Sequence, residues 1–281
     1  MAVDVARILD TTPDFVALAR AAFLKDRVTR GVLWEERYRA RHPEVFAAYF
    51  ATYGDPEQVP AVTHKLSDVR RTVEQAAPVM PGLIEEVEPA VRDALGLDDL
   101  PEPLHVLMVG TFSTNACVAR VDGDVAVLHC LEWFGGRDPA RVLVAHEDTH
   151  AWHETLLGAR PPEDLAWTAF AEGLAIRVSR EVVPDRPPAD YFWYGVGGFE
   201  DWLPWCEEHR DFLMTAFRDA LDAEGATEAF FGAGFVDEQW RTGFYVADQL
   251  VSGLGADTPE LVRMGVDEGR EAIRAALRDI G

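Results

Sequence analysis

The sequence predicts an α+β protein, mostly helical, with a small β-sheet packed on a histidine-bearing helix. Three observations predict it. Apolar residues recur at helical spacing through residues 1–100 and again from 138 onward. A short block, 104–131, switches to strand-like apolar runs around an Asp-Gly pair. His146-Glu147-Asp148-Thr149-His150 then sets two histidines four apart in a helical stretch.

In chain order, Phe15, Leu18, Ala19 and Ala22 mark a first helix. A broad apolar face from Val32 to Tyr53 predicts a second, broken by Gly54-Asp55-Pro56. A third is expected over 66–79, and Pro81 opens a fourth running to Leu95. Nothing in this helical region, residues 1–100, carries catalytic chemistry, and His42 and His64 read as solvated or structural.

Leu104-His105-Val106-Leu107-Met108-Val109, ended by Gly110, reads as a buried strand. Asp122-Gly123 between two β-rich runs is a two-residue hairpin signal. That turn sets Cys117 opposite Leu128 and Cys130 opposite Asn115, in a sheet of three or more strands. From Asp138 a helix runs through the histidine motif to about Leu157, closed by Gly158. Pro161-Pro162 separates it from a helix over 163–181. Pro184, Pro187 and Pro188 open a loop through Gly195-Val196-Gly197-Gly198, which follows no strand and reads as flexible rather than phosphate-binding. Helices over 202–223, 238–254 and 259–280 complete the chain. No linker or repeat separates 1–100 from 101–281, so one compact unit is expected.

Lys and Arg number 26 against 49 Asp and Glu, a net charge of −23. A polyanion would be repelled, which argues against nucleic acid and anionic membrane surfaces as partners. No apolar run approaches the ~20 residues of a bilayer span. The stretch 1–10 lacks the basic start and apolar centre of a secretory signal. Three cysteines, none in a C-x-x-C pair, read as reduced thiols of a cytoplasmic protein.

On a helix, residues four apart lie about one turn apart on one face, so His146 and His150 can reach one metal ion. Glu147 beside them can take a proton from metal-bound water. Zinc wants a third protein ligand and an open fourth position. Glu172, in Ala171-Glu172-Gly173-Leu174-Ala175, follows His150 by 22 residues. A helix, a Pro-Pro turn and a returning helix bring it back beside the motif, and Gly173 permits close approach. Its small, apolar neighbours imply burial, which a metal would compensate. His153 lies about 10 Å along the axis from His146, too far to share one ion on an undistorted helix. Asp148 and Thr149 fall on other faces and read as solvated or capping residues.

H-E-x-x-H followed at this distance by E-G-L-A resembles the gluzincin arrangement of zinc peptidases. It resembles more closely the predicted zinc-dependent protease family DUF2268, whose later aromatic Gly-Tyr segment is similar to Gly243-Phe244-Tyr245-Val246-Ala247-Asp248. The resemblance is specific over residues 141–176, moderate over 238–252 and weak elsewhere. It implies a zincin-like metallopeptidase region over 101–281 acting on a peptide or protein substrate. It implies Zn2+ held by His146, His150 and Glu172, with Glu147 as general base and Tyr245 donating to the oxyanion. His209 or Arg241 are alternative donors. Many gluzincins carry an acidic residue four positions after the glutamate ligand, where this chain has Ile176. Asp248, Glu154 or a backbone carbonyl is left to orient a zinc histidine. An edge strand beginning at Asn115-Ala116 would bind extended substrate.

Two other readings use the same residues. Two histidines and one carboxylate also hold non-haem Fe(II) in oxygenases, where Glu147 has no evident role. A zinc-stabilised, non-catalytic binding protein is the third, although a purely structural site is usually closed by four protein ligands.

Overall fold

A computed structural model describes residues 6–278. Part of the stretch read for a secretory signal, residues 1–5, lies outside them. Its elements in order are β1 (Ile8–Asp10), α1 (Thr12–Ala21), α2 (Arg27–Arg37), α3 (Pro43–Thr52), α4 (Val59–His64), α5 (Leu66–Ala76) and α6 (Met80–Leu95). Then come β2 (Leu104–Met108), β3 (Ala116–Val121), β4 (Asp124–Cys130), α7 (Arg137–Leu157), α8 (Leu165–Val182) and α9 (Asp190–Trp193). The chain continues through α10 (Trp202–Glu208), α11 (Arg210–Asp219), α12 (Ala226–Phe231), β5 (Phe235–Val236), β6 (Gln239–Trp240), α13 (Thr242–Ser252), α14 (Thr258–Val262) and α15 (Val266–Arg278). The architecture is α+β and mostly helical, as the periodicities imply. No helix among the described residues is long and apolar enough to cross a membrane.

The larger sheet has strand order β1-β2-β4-β3, with β1, β2 and β4 parallel and β3 antiparallel to β4. The hairpin forms as read. Val121 pairs with Asp124, and Asp122 and Gly123 both take positive φ (52° and 89°), which matches the twist of the flanking strands. Cys117 faces Leu128, and the Cys130 N–H donates to Asn115 O at 2.9 Å.

Five expectations need correction. The N-terminal region is not all helical: Ile8–Asp10 forms an edge strand on β2. Three residues are too short for a period-2 signal, and tertiary pairing defines them. The helix expected through Val32–Tyr53 is two helices, because Pro43 cannot continue α2 and instead opens α3. The helix expected over 202–223 breaks at His209, and 235–240 forms a small hairpin before α13 begins. The helix expected over 259–280 is likewise two, α14 and α15, broken between Val262 and Val266, and its expected end at Ile280 lies outside the described residues.

Contacts group the chain into two units, the chain up to Pro89 with Pro101–Ala151, and Ala90–Leu100 with the chain from Trp152 on. In the first, Phe15, Trp34, Tyr38 and Phe46 form an edge-to-face aromatic cluster with centroid separations of 5.0–6.2 Å. Two tyrosines of this unit also hold the turn after β2. Tyr38 Oη accepts the Val109 N–H at 2.7 Å, and Tyr49 Oη accepts the Thr111 N–H at 2.9 Å. Gly110 is required between them, since a Cβ there would sit 2.5 Å from Tyr49 Oη. The Glu132 carboxylate accepts from the Gly110 and Phe112 N–H groups at 2.9 and 3.2 Å.

In the second unit, α8 and α13 approach closely at Gly173, where a Cβ would lie 2.4 Å from Ala247 O. Asp164 caps α8 by accepting the Trp167 N–H at 3.0 Å, and Arg270 pairs with the same carboxylate.

Candidate metal centre

α7 is buried on nearly every side, unlike an ordinary amphipathic surface helix. Gly158, at φ 71°, terminates it in the left-handed conformation, its N–H reaching Glu154 O at 3.0 Å. On this helix His146 and His150 present their Nε2 atoms to each other at 3.2 Å, with ring planes 77° apart. Glu172 completes a group: one candidate ligand atom from each of His146, His150 and Glu172 lies within 4.8 Å of the others. His146 is buried and the other two are partly so.

This donor set fits a metal ion. Two nitrogens bound at 2.0–2.1 Å to a tetrahedral ion stand about 3.3 Å apart. The observed 3.2 Å matches that spacing without rearrangement. Two imidazoles and a carboxylate are borderline-soft and hard donors that suit zinc and also non-haem iron. The group could therefore hold a metal ion, and the geometry does not choose between those two.

Glu147 is partly exposed, between the two histidines in sequence. Its charge helps raise the Cys130 thiol pKa, after burial, Glu132 and Cys117. Cys130, at the end of β4, bonds to Asn115, one residue before edge strand β3.

Tyr245 lies on α13 and is buried. Burial first, with Cys206, Glu207 and Asp248 adding, raises its pKa against the opposing pull of Arg210. Its hydroxyl therefore stays protonated and able to donate at neutral pH, and it makes no hydrogen bond among the described residues. Asp248, a candidate to orient a zinc histidine, is instead committed to Arg180: the guanidinium grips its carboxylate with both Nη atoms, one of them at 3.0 Å. His153 stands outside the ligand group, packed against Trp167 and Phe170 with ring centroids at 5.2 and 6.2 Å. His209 stacks on Trp205 and has its Nδ1 2.9 Å from that residue's carbonyl.

Asp148 and Thr149 are not solvated. Asp148 is fully buried, and Thr149 Oγ1 donates back to Ala145 O at 2.8 Å within the helix. The reason is that α7 is enclosed on its other sides at this point, so the positions away from Glu147 and His150 are interior as well. Asp148 meets two buried sheet histidines that sequence reading did not single out. His105 on β2 has Nδ1 3.7 Å from Asp148 Oδ1 and 3.2 Å from His129 Nε2 on β4. The two rings stack with planes 7° apart. Burial pushes His129 down to about 3, lowers His105 well below its ordinary value, and raises Asp148 well above its own. All three shifts run toward the uncharged form of each group, as burial dictates. The signal for these histidines was available: each is a polar residue inside an otherwise apolar strand.

No protein-family model matches the chain, and no curated protein or solved structure is detectably similar to it. The likeness to zinc-dependent proteases rests on the motif residues alone.

Proposed function

We propose that this protein is a zinc-dependent hydrolase of peptide or protein amide bonds. The observation that carries the reading is the convergence of His146, His150 and Glu172 at metal-ligand spacing, with Glu147 next to the first histidine. Zinc bound there would supply a Lewis acid for the scissile carbonyl and a water of lowered pKa. His146 and His150 would hold it through their imidazoles, both neutral, and Glu172 through a carboxylate oxygen. A Glu147 carboxylate oxygen accepts the proton of the attacking water and returns it to the departing amine nitrogen. The Tyr245 hydroxyl donates to the oxyanion as charge develops on the carbonyl oxygen. Glu147 distinguishes this reading from an iron oxygenase, which needs the three ligands and no adjacent base.

The test is Glu147→Gln, assayed by metal content and by mass spectrometry of a mixed peptide library. Metal content stays at the wild-type level and cleavage falls about 10²–10⁴-fold. Unchanged cleavage removes Glu147 from the role. Iron in the purified protein, with oxygen consumption, supports the oxygenase. Unfolding on chelation with no peptide cleaved supports a binding protein.

A further inference from the structure

We propose that Trp193, Arg241 and Thr242 form a binding site for a carboxylate carried on an apolar body. The three residues lie at the end of α9 and the start of α13. Arg241 sits among aromatic rings, its Cζ 4.1 Å from the centroid of Phe244, 5.3 Å from Trp193 and 5.9 Å from Trp240. It adopts a left-handed backbone at φ 59°, rare for a side-chain-bearing residue, and no side chain caps the helix it begins.

Three buried polar groups at this place have no partner. Arg241 Nε, Trp193 Nε1 and Thr242 Oγ1 are each shielded from solvent and make no hydrogen bond among the described residues. Trp193 is 5% exposed and Thr242 fully buried. Neighbouring donors are satisfied: Trp202 Nε1 reaches Trp240 O at 2.7 Å, and Trp240 Nε1 reaches Gly232 O at 2.6 Å. Other buried indole and guanidinium nitrogens also make no hydrogen bond among the described residues, Trp34 Nε1, Trp152 Nε1 and Arg70 Nε among them. What sets this place apart is that two such donors and a hydroxyl belong to residues adjacent in sequence or in ring contact. No carboxylate pairs with Arg241 among the described residues, in a chain whose acidic side chains outnumber its basic ones 49 to 26.

An arginine and an indole N–H can only donate, and the threonine hydroxyl can do so. What is missing is an acceptor. One guanidinium supplies one positive charge in a planar fork, which matches a monoanionic carboxylate. Trp240, 36% exposed and tilted against the Trp193–Phe199 stack, offers an apolar ring for the rest of the ligand. Ala247, the residue that meets Gly173 beside Glu172, lies six positions along α13 from Arg241, about 9 Å of helix. On the peptidase reading the ligand is thus the C-terminal carboxylate of a peptide, a few extended residues long to that level. The site itself does not depend on that reading.

The experiment is calorimetric titration of the metal-stripped full chain with N-acetyl-phenylalanine and with its C-terminal amide. The acid binds, and the amide binds at least about tenfold more weakly, since charge-assisted bonds are lost. Arg241→Gln abolishes the preference. Trp193→Phe keeps the ring and loses one donor, so it weakens the acid a few-fold and leaves the amide unchanged. It also guards against Arg241→Gln simply unfolding, which circular dichroism checks. Equal binding of acid and amide, no binding of either, or full preference in both variants would overturn the proposal and leave water as the partner of these groups. Because the metal is absent throughout, failure here is separate from failure of the hydrolase reading.

Discussion

Gly173→Ala tests whether the close approach of α8 to α13 positions Glu172. A Cβ at 173 would stand 2.4 Å from Ala247 O and 2.5 Å from Val251 Cγ2. Ordinary carbon–oxygen contact is about 1 Å longer, so α13 must retreat by about that much, and a gap of that size forfeits a quarter to a half of each dispersion contact it opens. Overpacking of this kind costs about 1–3 kcal/mol, and more where backbone must move. Against it stands the better helix propensity of alanine, about 1 kcal/mol. The clash wins because Ala247 O is helix backbone and cannot rotate away. A net loss of ~2 kcal/mol lowers Tm by about 4–8 °C in a scan of apoprotein. Metal affinity falls by ten- to a hundredfold in a competition titration, since Glu172 is carried on the displaced helix segment. A Tm at or above wild type with unchanged metal affinity would refute the reasoning, because propensity alone would then have decided the outcome.

Arg180→Met strands the Asp248 carboxylate, which is 4% exposed, and costs about 3 kcal/mol in denaturant titration. Adding Asp248→Leu recovers most of that loss, and a double variant as unstable as the single one would show that the pair is not the cause. Glu132 gives a pH prediction. Burial lifts it from 4.5 to about 7, against the opposing pull of the Gly110 and Phe112 N–H groups. Its folded value is raised, so its stabilising contribution is full below pH 4.5 and is lost as pH rises through about 7. Between pH 5 and 8 wild type should lose about 2–3 kcal/mol relative to Glu132→Gln. A difference between the two proteins that does not change with pH counts against a buried, protonated Glu132.

The parts of this fold that were legible in the sequence are those fixed by local chemistry. Asp122-Gly123 fixed its own turn because only certain residues accept two successive positive φ values. Gly158 ended α7 for a related reason. Gly173 beside Glu172 predicted close helix contact, and Ala247 O occupies the space a side chain would need. The break before Pro43 was equally local and should have been read. β1 was not readable, because three residues become a strand only through pairing with His105–Leu107.

Burial around α7 was hidden for another reason. Helical periodicity separates faces only when one of them meets water, and α7 meets almost none. Asp148 therefore looked like a solvated carboxylate between two ligands. Its burial, with Oδ1 3.7 Å from His105 Nδ1, changes what the motif helix is. One side carries the ligand imidazoles, which must be neutral to bind a cation. Another carries Asp148, whose carboxyl pKa burial raises well above its ordinary value. The formal charge of −23 says little about the surroundings of the three residues that could hold a metal ion, which are set by local burial. The same argument holds at Arg241, where one unpaired guanidinium walled by aromatic rings can draw a carboxylate to an acidic protein. In both places burial and partnering, rather than net charge, decide which ligand the surroundings favour.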